Sequence, residues 1–280
     1  MSPPSNMGPV ETLDMFDNKN SFDSQLQTDL AFNEKLAADI VAPQTEEIAL
    51  DLNGATTDTD VPPRTICVFC GASSGNSPAF MEAARDLARE FHKHNIKLVY
   101  GGGTVGLMGE IARTLVSLSG PSSVHGIIPE PLVVFEQGPD SKAPSKNGGK
   151  HGVPDEATYG TTTIVDDMHT RKQMMAQAVM KGGPGSGFIA LPGGYGTLEE
   201  LMEVVTWNQL GIHGRGTIVL NIEGYWDGLL SWVDNSISAG FVRESNRSII
   251  VPAKTAQEAV EFLSDYKPAD GRFKLAWKTL

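Results

Sequence analysis

From Arg64 onward, short apolar runs alternate with amphipathic stretches. Residues 65–70 (TICVFC) read as a buried strand. Ser77 and Pro78 supply an N-cap and a first helical position, and Phe80, Ala84, Leu87 and Phe91 give the next helix its apolar stripe. Residues 97–100 form a predicted strand, followed by GGGTVGLMG (101–109) and a helix to about Leu118. Strands are predicted over 123–128 and 160–165, with a helix from about Asp167 to Lys181. The strand GFIAL (187–191) leads through PGGYGT (192–197) into a helix ending near Leu210. A strand over 217–221, a helix over 226–239, a strand at 249–251 and a helix at 255–265 close the series. This alternation predicts an α/β fold: a Rossmann-like, doubly wound parallel sheet with helices on both faces. Ligands of such sheets sit at the carboxyl ends of the strands, so the loops after each strand are the place to seek chemistry.

Residues 1–63 follow no such pattern. They are rich in Asp, Asn, Ser, Thr and Pro, and their apolar residues are too sparse to offset the entropy of ordering the chain. Leu26, Leu30, Leu36 and Ile40 show partial helical spacing, but a solvated tail is the preferred reading. Charge supports the division. Residues 1–63 hold twelve Asp/Glu and two Lys, a net of −10 out of −12 for the whole chain. The expected organisation is an acidic tail over 1–63 and a single domain over 64–280, ample for one core. Within that domain, 139–159 (PDSKAPSKNGGKHGVPDEATY) reads as a disordered insertion between strands, beginning at about 138. No clustered basic patch exists, so nucleic acid is not an expected partner. No apolar run approaches about 18 residues, so no membrane span is expected. The opening MSPPSNMGPV resembles neither a secretory signal nor an Arg-rich transit peptide. With only two cysteines, a disulfide scaffold is excluded and a cytoplasmic location is expected.

Two loops carry candidate phosphate chemistry. Gly101 to Gly106 fits G-x-G-x-x-G between a strand and a helix, where Gly102 and Gly103 would let a phosphate approach the backbone and the helix N-terminus would supply N–H donors. A dinucleotide site also wants an acidic residue about 20 positions on. Only Glu130, between Pro129 and Pro131, is near, and the motif follows the second strand rather than the first. Taken alone, it is a glycine turn. A second such loop, Pro192-Gly193-Gly194-Tyr195-Gly196-Thr197, places another set of donors at another strand end. Two loops around one cleft suit a single phosphate and its sugar.

The flanking helices carry charge. Met168, Met175 and Val179 fall at i, i+7 and i+11, a predicted buried stripe whose i+3 and i+4 positions are Arg171 and Lys172. Two cations therefore stand where apolar groups are wanted, in first turns where the dipole disfavours them. An unpaired buried cation is costly, so a bound anion or a carboxylate is expected opposite them; the alternative is that both reach water. A phosphate would suit the planar fork of Arg171. In the helix after PGGYGT, Leu198, Leu201, Met202 and Val205 form the predicted core stripe, with Glu199, Glu200 and Glu203 off it. First-turn carboxylates are ordinary helix stabilisers, each worth about 0.3–1 kcal/mol, and periodicity does not say which one faces a site.

Other motifs carry less. Gly71-Ala72-Ser73-Ser74-Gly75 matches G-x-S-x-G, but the helix cap at Ser77 makes the turn too long for a nucleophile elbow, and no triad partner is evident. Cys67 and Cys70 spell C-x-x-C within a strand, where they face opposite ways. His92 and His94 end a helix and are expected in solvent. Neither H-E-x-x-H nor a P-loop occurs, and no metal site is expected.

VFCGASSG (68–75), GGGTVGLMG (101–109), MHTRK (168–172), PGGYGTLEE (192–200) and TWNQLGIH (206–213) occur in this order. Together they closely resemble the Lonely Guy (LOG) family of cytokinin riboside 5′-monophosphate phosphoribohydrolases, over about residues 64–265. The pairing of MHxRK with PGGxGTxxE makes the resemblance specific. The family was long labelled a lysine decarboxylase from sequence similarity, yet nothing in this sequence marks a pyridoxal-bearing lysine. The resemblance implies hydrolysis of the N-glycosidic bond of an N6-substituted adenosine monophosphate, giving free base and ribose 5-phosphate without a cofactor. It places the catalytic residues at Arg171 and Glu200. It places substrate contacts at Lys172, Thr206 and the run from Gly194 through Tyr195, Gly196 and Thr197 to Glu200. Gly193, Gly102, Gly103 and Ser73 join them as loop residues expected around the nucleotide. Glu136, eight residues after Ile128, resembles the family's further acidic contact, although IPEPLVVFEQ departs from the usual loop. The insertion over 138–159 is longer than the family's short versions and bears on the pocket wall. The family usually forms homodimers with sites completed near the interface, where Trp207, Trp226 and Trp232 would serve if they are not core. Cleaving a sugar–purine bond develops oxocarbenium character, which a carboxylate such as Glu200 stabilises while orienting water. Arg171 either counters charge on the departing purine or holds the 5′-phosphate. The alternatives are a non-catalytic nucleotide or NAD(P) sensor and a general AMP nucleosidase.

Overall fold

The structure, a computed structural model, describes residues 61–136, 153–275 and 277, with the side chains of 134–136 left aside. The expected acidic tail and most of the expected insertion lie outside the described residues.

Seven strands form one sheet in the order β4-β3-β2-β1-β5-β6-β7. They are β1 (Thr65–Phe69), β2 (Lys97–Tyr100), β3 (Val124–Pro129), β4 (Thr161–Val165), β5 (Gly187–Ala190), β6 (Gly216–Leu220) and β7 (Ile250–Ala253). Every pairing is parallel. Central strands are apolar without alternation because both faces are covered; all five residues of β1 are buried.

The helices are α1 (Pro78–Lys93), α2 (Gly106–Ser119), α3 (Glu130–Glu136), α4 (Glu156–Tyr159), α5 (Met168–Lys181), α6 (Tyr195–Gln209), α7 (Asp227–Ser238) and α8 (Ala256–Asp265). One core joins Ile66 and Val68 of β1 to α1, α2 and α8. The other joins Cys67 and Phe69 to α5, α6 and α7. Cys67 and Cys70 fall in different cores, as strand parity requires. The predicted Ser77 cap and Pro78 first position are both present, with Ser77 Oγ accepting from Ala79 N–H at 3.3 Å.

Several expectations are corrected. Residues 130–136 form α3 directly after β3, with Pro131 in the first turn, where its missing N–H costs nothing. The end of the predicted loop carries α4, which stops at Gly160 with φ 84°. Met168 is 40% exposed, so the α5 stripe begins with Arg171 instead. Leu198 is 38% exposed, and Glu200 takes a buried place on α6.

The chain builds outward from β1 to β4 and then returns to lay β5 beside β1 on the other side. That reversal is the topological switch point, and a crevice opens between the loops that leave β1 and β5.

Candidate active site

At the switch point three loops pack directly on one another. Gly71 N–H donates to Pro192 O at 3.0 Å, and Leu107 N–H donates to Gly71 O at 3.0 Å. A methyl group on Gly193 would stand 2.1 Å from Thr197 Oγ1 and 2.9 Å from Gly71 N, so only glycine permits this approach. The loops border a hollow of about 420 Å³ lined by the 71–75 turn, Phe80, Leu107, the 192–194 turn and Tyr225. The Tyr225 hydroxyl donates to Gly193 O and so ties the glycine loop to the segment after β6. Past Tyr225 a second hollow, about 410 Å³, runs over Gly193, Tyr195, Leu198, Trp226 and Leu229. Gly194 and Gly196 have open space above them and Tyr195 is almost fully exposed, whereas Thr197 is buried. Gly194 caps α6 without a side-chain hydrogen bond.

The charged helices meet beside this loop. Asp167 caps α5, its Oδ1 accepting from His169 N–H at 2.7 Å and Thr170 N–H at 2.9 Å. That cap fixes Arg171 in the first turn, buried. Its Nε donates to Ile127 O at 3.2 Å, and its Nη1 stands 3.2 Å from Glu200 Oε1. Gly101 makes room for the fork, since a methyl group there would lie 2.0 Å from Nη2. Glu200 is itself buried, and although Oε1 is within ion-pair reach, no donor is aligned to hydrogen-bond it. Burial pushes the Glu200 carboxyl above the usual carboxylate range; Arg171 pulls it down without cancelling that effect.

Lys172 Nζ donates to Glu199 Oε1 at 2.5 Å and to Glu203 Oε1 at 3.1 Å. Burial lowers its pKa, but the two carboxylates outweigh burial and hold the ammonium above its ordinary value. The anion expected opposite the two cations is thus a set of carboxylates one helix away.

The structure distributes the remaining sequence-predicted residues unevenly. Ser73 and Gly193 line the first hollow. Gly102 (φ +76°) and Gly103 are buried, and Gly102 packs against β3, where a methyl group would stand 3.0 Å from Ile128 Cβ. Gly102 therefore has a packing role. Thr206 lies six residues beyond Glu200, about 9 Å along the helix, exposed, with its hydroxyl donating to Met202 O at 2.7 Å. Glu136 ends α3, and its side chain is outside the described residues. Trp226 is buried, Trp207 half-buried and Trp232 53% exposed. Neither Arg171 nor Glu200 lines either hollow; the 192–200 segment connects them, walling the cavity at its start and carrying Glu200 at its end. Tyr225 and Ile127 were not singled out from sequence, and Gly101 figured there only as the first glycine of the 101–106 loop, not as the space that admits the Arg171 fork. Spacing does not show these roles, because each acts through a contact between distant segments.

A family model described as "Possible lysine decarboxylase" matches residues 108–263. Over 217 residues the chain is 43% identical to cytokinin riboside 5′-monophosphate phosphoribohydrolase LOG3 of Arabidopsis thaliana, covering 77% of this chain and 89% of that one. The chain belongs to the LOG family. It is also 43% identical over 215 residues to the probable LOG enzyme LOGL3 of Oryza sativa subsp. japonica, covering 76% and 90% of the two chains. Identity is 54% over 211 residues to a bifunctional cytokinin biosynthesis protein of Fusarium pseudograminearum (strain CS3096). That match takes in 75% of this chain and 42% of the Fusarium protein, so the chain spans less than half of that relative. A decarboxylase of the pyridoxal type needs a lysine that can become a neutral amine. In this LOG chain Lys172, the lysine at the site, is held charged by Glu199 and Glu203 and does not fit that group. Among the described residues there is no cluster of three metal-ligating side chains, and no helix is long and apolar enough to cross a membrane.

Proposed function

We propose that this LOG-family chain hydrolyses the N-glycosidic bond of an N6-substituted adenosine 5′-monophosphate to free base and ribose 5-phosphate. The observation that carries this reading is the buried Arg171–Glu200 pair, 3.2 Å apart, with Glu200 Oε1 unspent as an acceptor beside a glycine-lined crevice. The bond between C1′ and the purine nitrogen breaks with its electrons leaving on the base. Glu200 stabilises the positive charge that develops at C1′ and orients the water that attacks it. The raised pKa of Glu200 suits it to take the proton this water gives up, and that proton then passes to the departing base nitrogen, which leaves neutral free base and returns Glu200 to its carboxylate. Arg171 is engaged with Ile127 O and Glu200 rather than with the 192–197 loop, which supports a place at the reacting bond over a place at the phosphate. The uncapped N–H groups at the start of α6, with Gly193, Gly194, Tyr195, Gly196 and Thr197, take the 5′-phosphate. Lys172 holds Glu199 and Glu203 off Glu200. Ser73, Gly103, Thr206 and Glu136 are assigned to the nucleotide's surroundings on family resemblance and loop position.

The same reading makes 64–280 the catalytic domain, 1–63 a tail outside it, and the enzyme a cytoplasmic homodimer. The test is chromatography of isopentenyl-AMP, other N6-modified nucleotides and AMP after incubation with wild-type, Glu200→Gln and Arg171→Ala proteins. Free base and ribose 5-phosphate should appear with wild type alone, while both variants stay folded. Near-wild-type turnover in either variant dismisses the assignment. Binding of intact NAD(P) without base release would favour a sensor instead. Light scattering tests the dimer, and fractionation of cells tests the location.

A further inference from the structure

The 206–213 motif ends in His213, a residue the proposed reaction does not use. We infer that His213 is a positioning residue which, together with Arg215, holds α6 against the sheet and against α5 so that Glu200 meets Arg171. This rests on the reaction proposed above.

His213 is buried with its ring centroid 5.3 Å from that of Phe188 on β5, and Phe188 stacks on Phe69 of β1 at 5.9 Å. The imidazole therefore sits under the two strands that form the switch point. Its Nδ1 accepts from Arg215 N–H at 3.1 Å. The ring proton must then lie on Nε2, which donates to Val204 O at 2.8 Å. Burial lowers the His213 pKa to about 4, with nearby Arg272 and Arg215 adding to the effect, so the ring is neutral at working pH. Val204 follows Glu200 by four residues and shares its face of α6.

The neighbouring arginine reaches the other helix. Arg215 Nη2 donates to Met180 O at 2.8 Å and Gly182 O at 2.7 Å, and Nη1 to Gly183 O at 3.3 Å. These carbonyls lie at the end of α5, where a cation also opposes the helix dipole favourably. Arg272 closes the arrangement from the C-terminal segment, donating to Asn208 O at 2.7 Å and to His213 O. Residues 213–215 thus bond to α6 on one side and α5 on the other, the two helices that carry the catalytic pair.

Two near-isosteric variants separate pinning from mere packing. His213→Asn keeps an acceptor for Arg215 N–H but has nothing that reaches Val204, while His213→Gln returns an N–H near the Nε2 position. In H213N we expect kcat to fall by about tenfold or more with KM within about twofold, because the reacting groups are misplaced while the phosphate loop is not. The acidic limb of the rate profile should move to lower pH as water reaches Glu200. Amide exchange across 204–208 should quicken. H213Q should recover kcat to within about threefold of wild type and restore slow exchange. Equal kcat and equal exchange in H213N and H213Q, or wild-type turnover in folded H213N, overturns the inference. If H213N does not fold, His213→Phe takes its place, keeping a ring on Phe188 and losing both polar contacts, with the same outcomes read. If wild type releases no base, the proposed reaction fails and the exchange comparison alone decides the role of His213.

Discussion

One methyl group should disarm the site without unfolding the protein. Gly101 opens the loop after β2 and has no positive φ, so the backbone accepts alanine there. The added carbon would stand 2.0 Å from Arg171 Nη2, 3.2 Å from its Cζ and 3.3 Å from Met108 Sδ. Carbon does not approach nitrogen closer than about 3 Å, so the guanidinium must withdraw by about 1 Å or more. The Arg171–Glu200 contact, now 3.2 Å, and the bond to Ile127 O at 3.2 Å are both at stake. Losing one hydrogen bond to a charged group costs about 1.5–3 kcal/mol of stability, which a domain of this size survives. A displacement of about 1 Å at reacting groups costs about 100-fold in rate, or about 2.7 kcal/mol of barrier. The assay is base release by chromatography for Gly101→Ala, Arg171→Ala and the double variant, with thermal melts beside each. The expected result is a kcat/KM about 100-fold down in G101A and no further loss on adding it to R171A. A folded G101A that keeps more than half of wild-type activity, or a double variant far below R171A, refutes the steric route from residue 101 to the carboxylate.

Further expectations follow from the same contacts. Glu200→Gln should lose base release yet melt at or above wild type at pH 8. The folded protein holds the Glu200 proton more tightly than the unfolded chain, because burial disfavours the charged form, so ionising this group weakens the fold. The cost is absent below the ordinary carboxylate pKa and grows as pH rises towards the folded value. The gap between the two melting curves should therefore close as pH falls towards 4.5; a destabilised variant whose deficit widens with pH would mean that attraction to Arg171 outweighs burial. Gly193→Ala forces its methyl group onto Thr197 and Gly71 N, so the loops must part. Its KM should rise about tenfold with a stability loss of about 1–3 kcal/mol in a denaturant titration. Tyr225→Phe removes the hydroxyl from Gly193 O, a neutral hydrogen bond worth about 1 kcal/mol, so KM should rise about fivefold while kcat holds. An unchanged KM would detach Tyr225 from the glycine loop.

Periodicity located the sheet because its central strands are covered on both faces, and an uninterrupted apolar run such as TICVF leaves little else to read. It located the cations of α5 because a charge in an apolar stripe is a local anomaly. It did not separate Glu199, Glu200 and Glu203. Which of three neighbouring carboxylates is buried depends on how the side chains of α5 and α6 meet, set by segments far apart in sequence. Met168 and Leu198 were expected in the core, yet each stands in the first turn of its helix, at the end of the stripe, and is left 40% and 38% exposed. The short α3 and α4 were missed because flanking prolines and glycines mark turns more strongly than helices of one or two turns. The family resemblance placed Arg171 and Glu200 by motif, and the fold brings them within 3.2 Å. The contribution of His213 to that meeting appears only once its ring nitrogens have partners.

The charges gathered between α5 and α6 nearly balance, with Arg171 and Lys172 set against Glu199, Glu200 and Glu203. A dianionic guest such as the proposed nucleotide would find no surplus of positive charge to draw it in. Its grip would then come from uncharged amides, and an attraction of that kind would persist in brine that strips a ligand from a lysine-rich cradle.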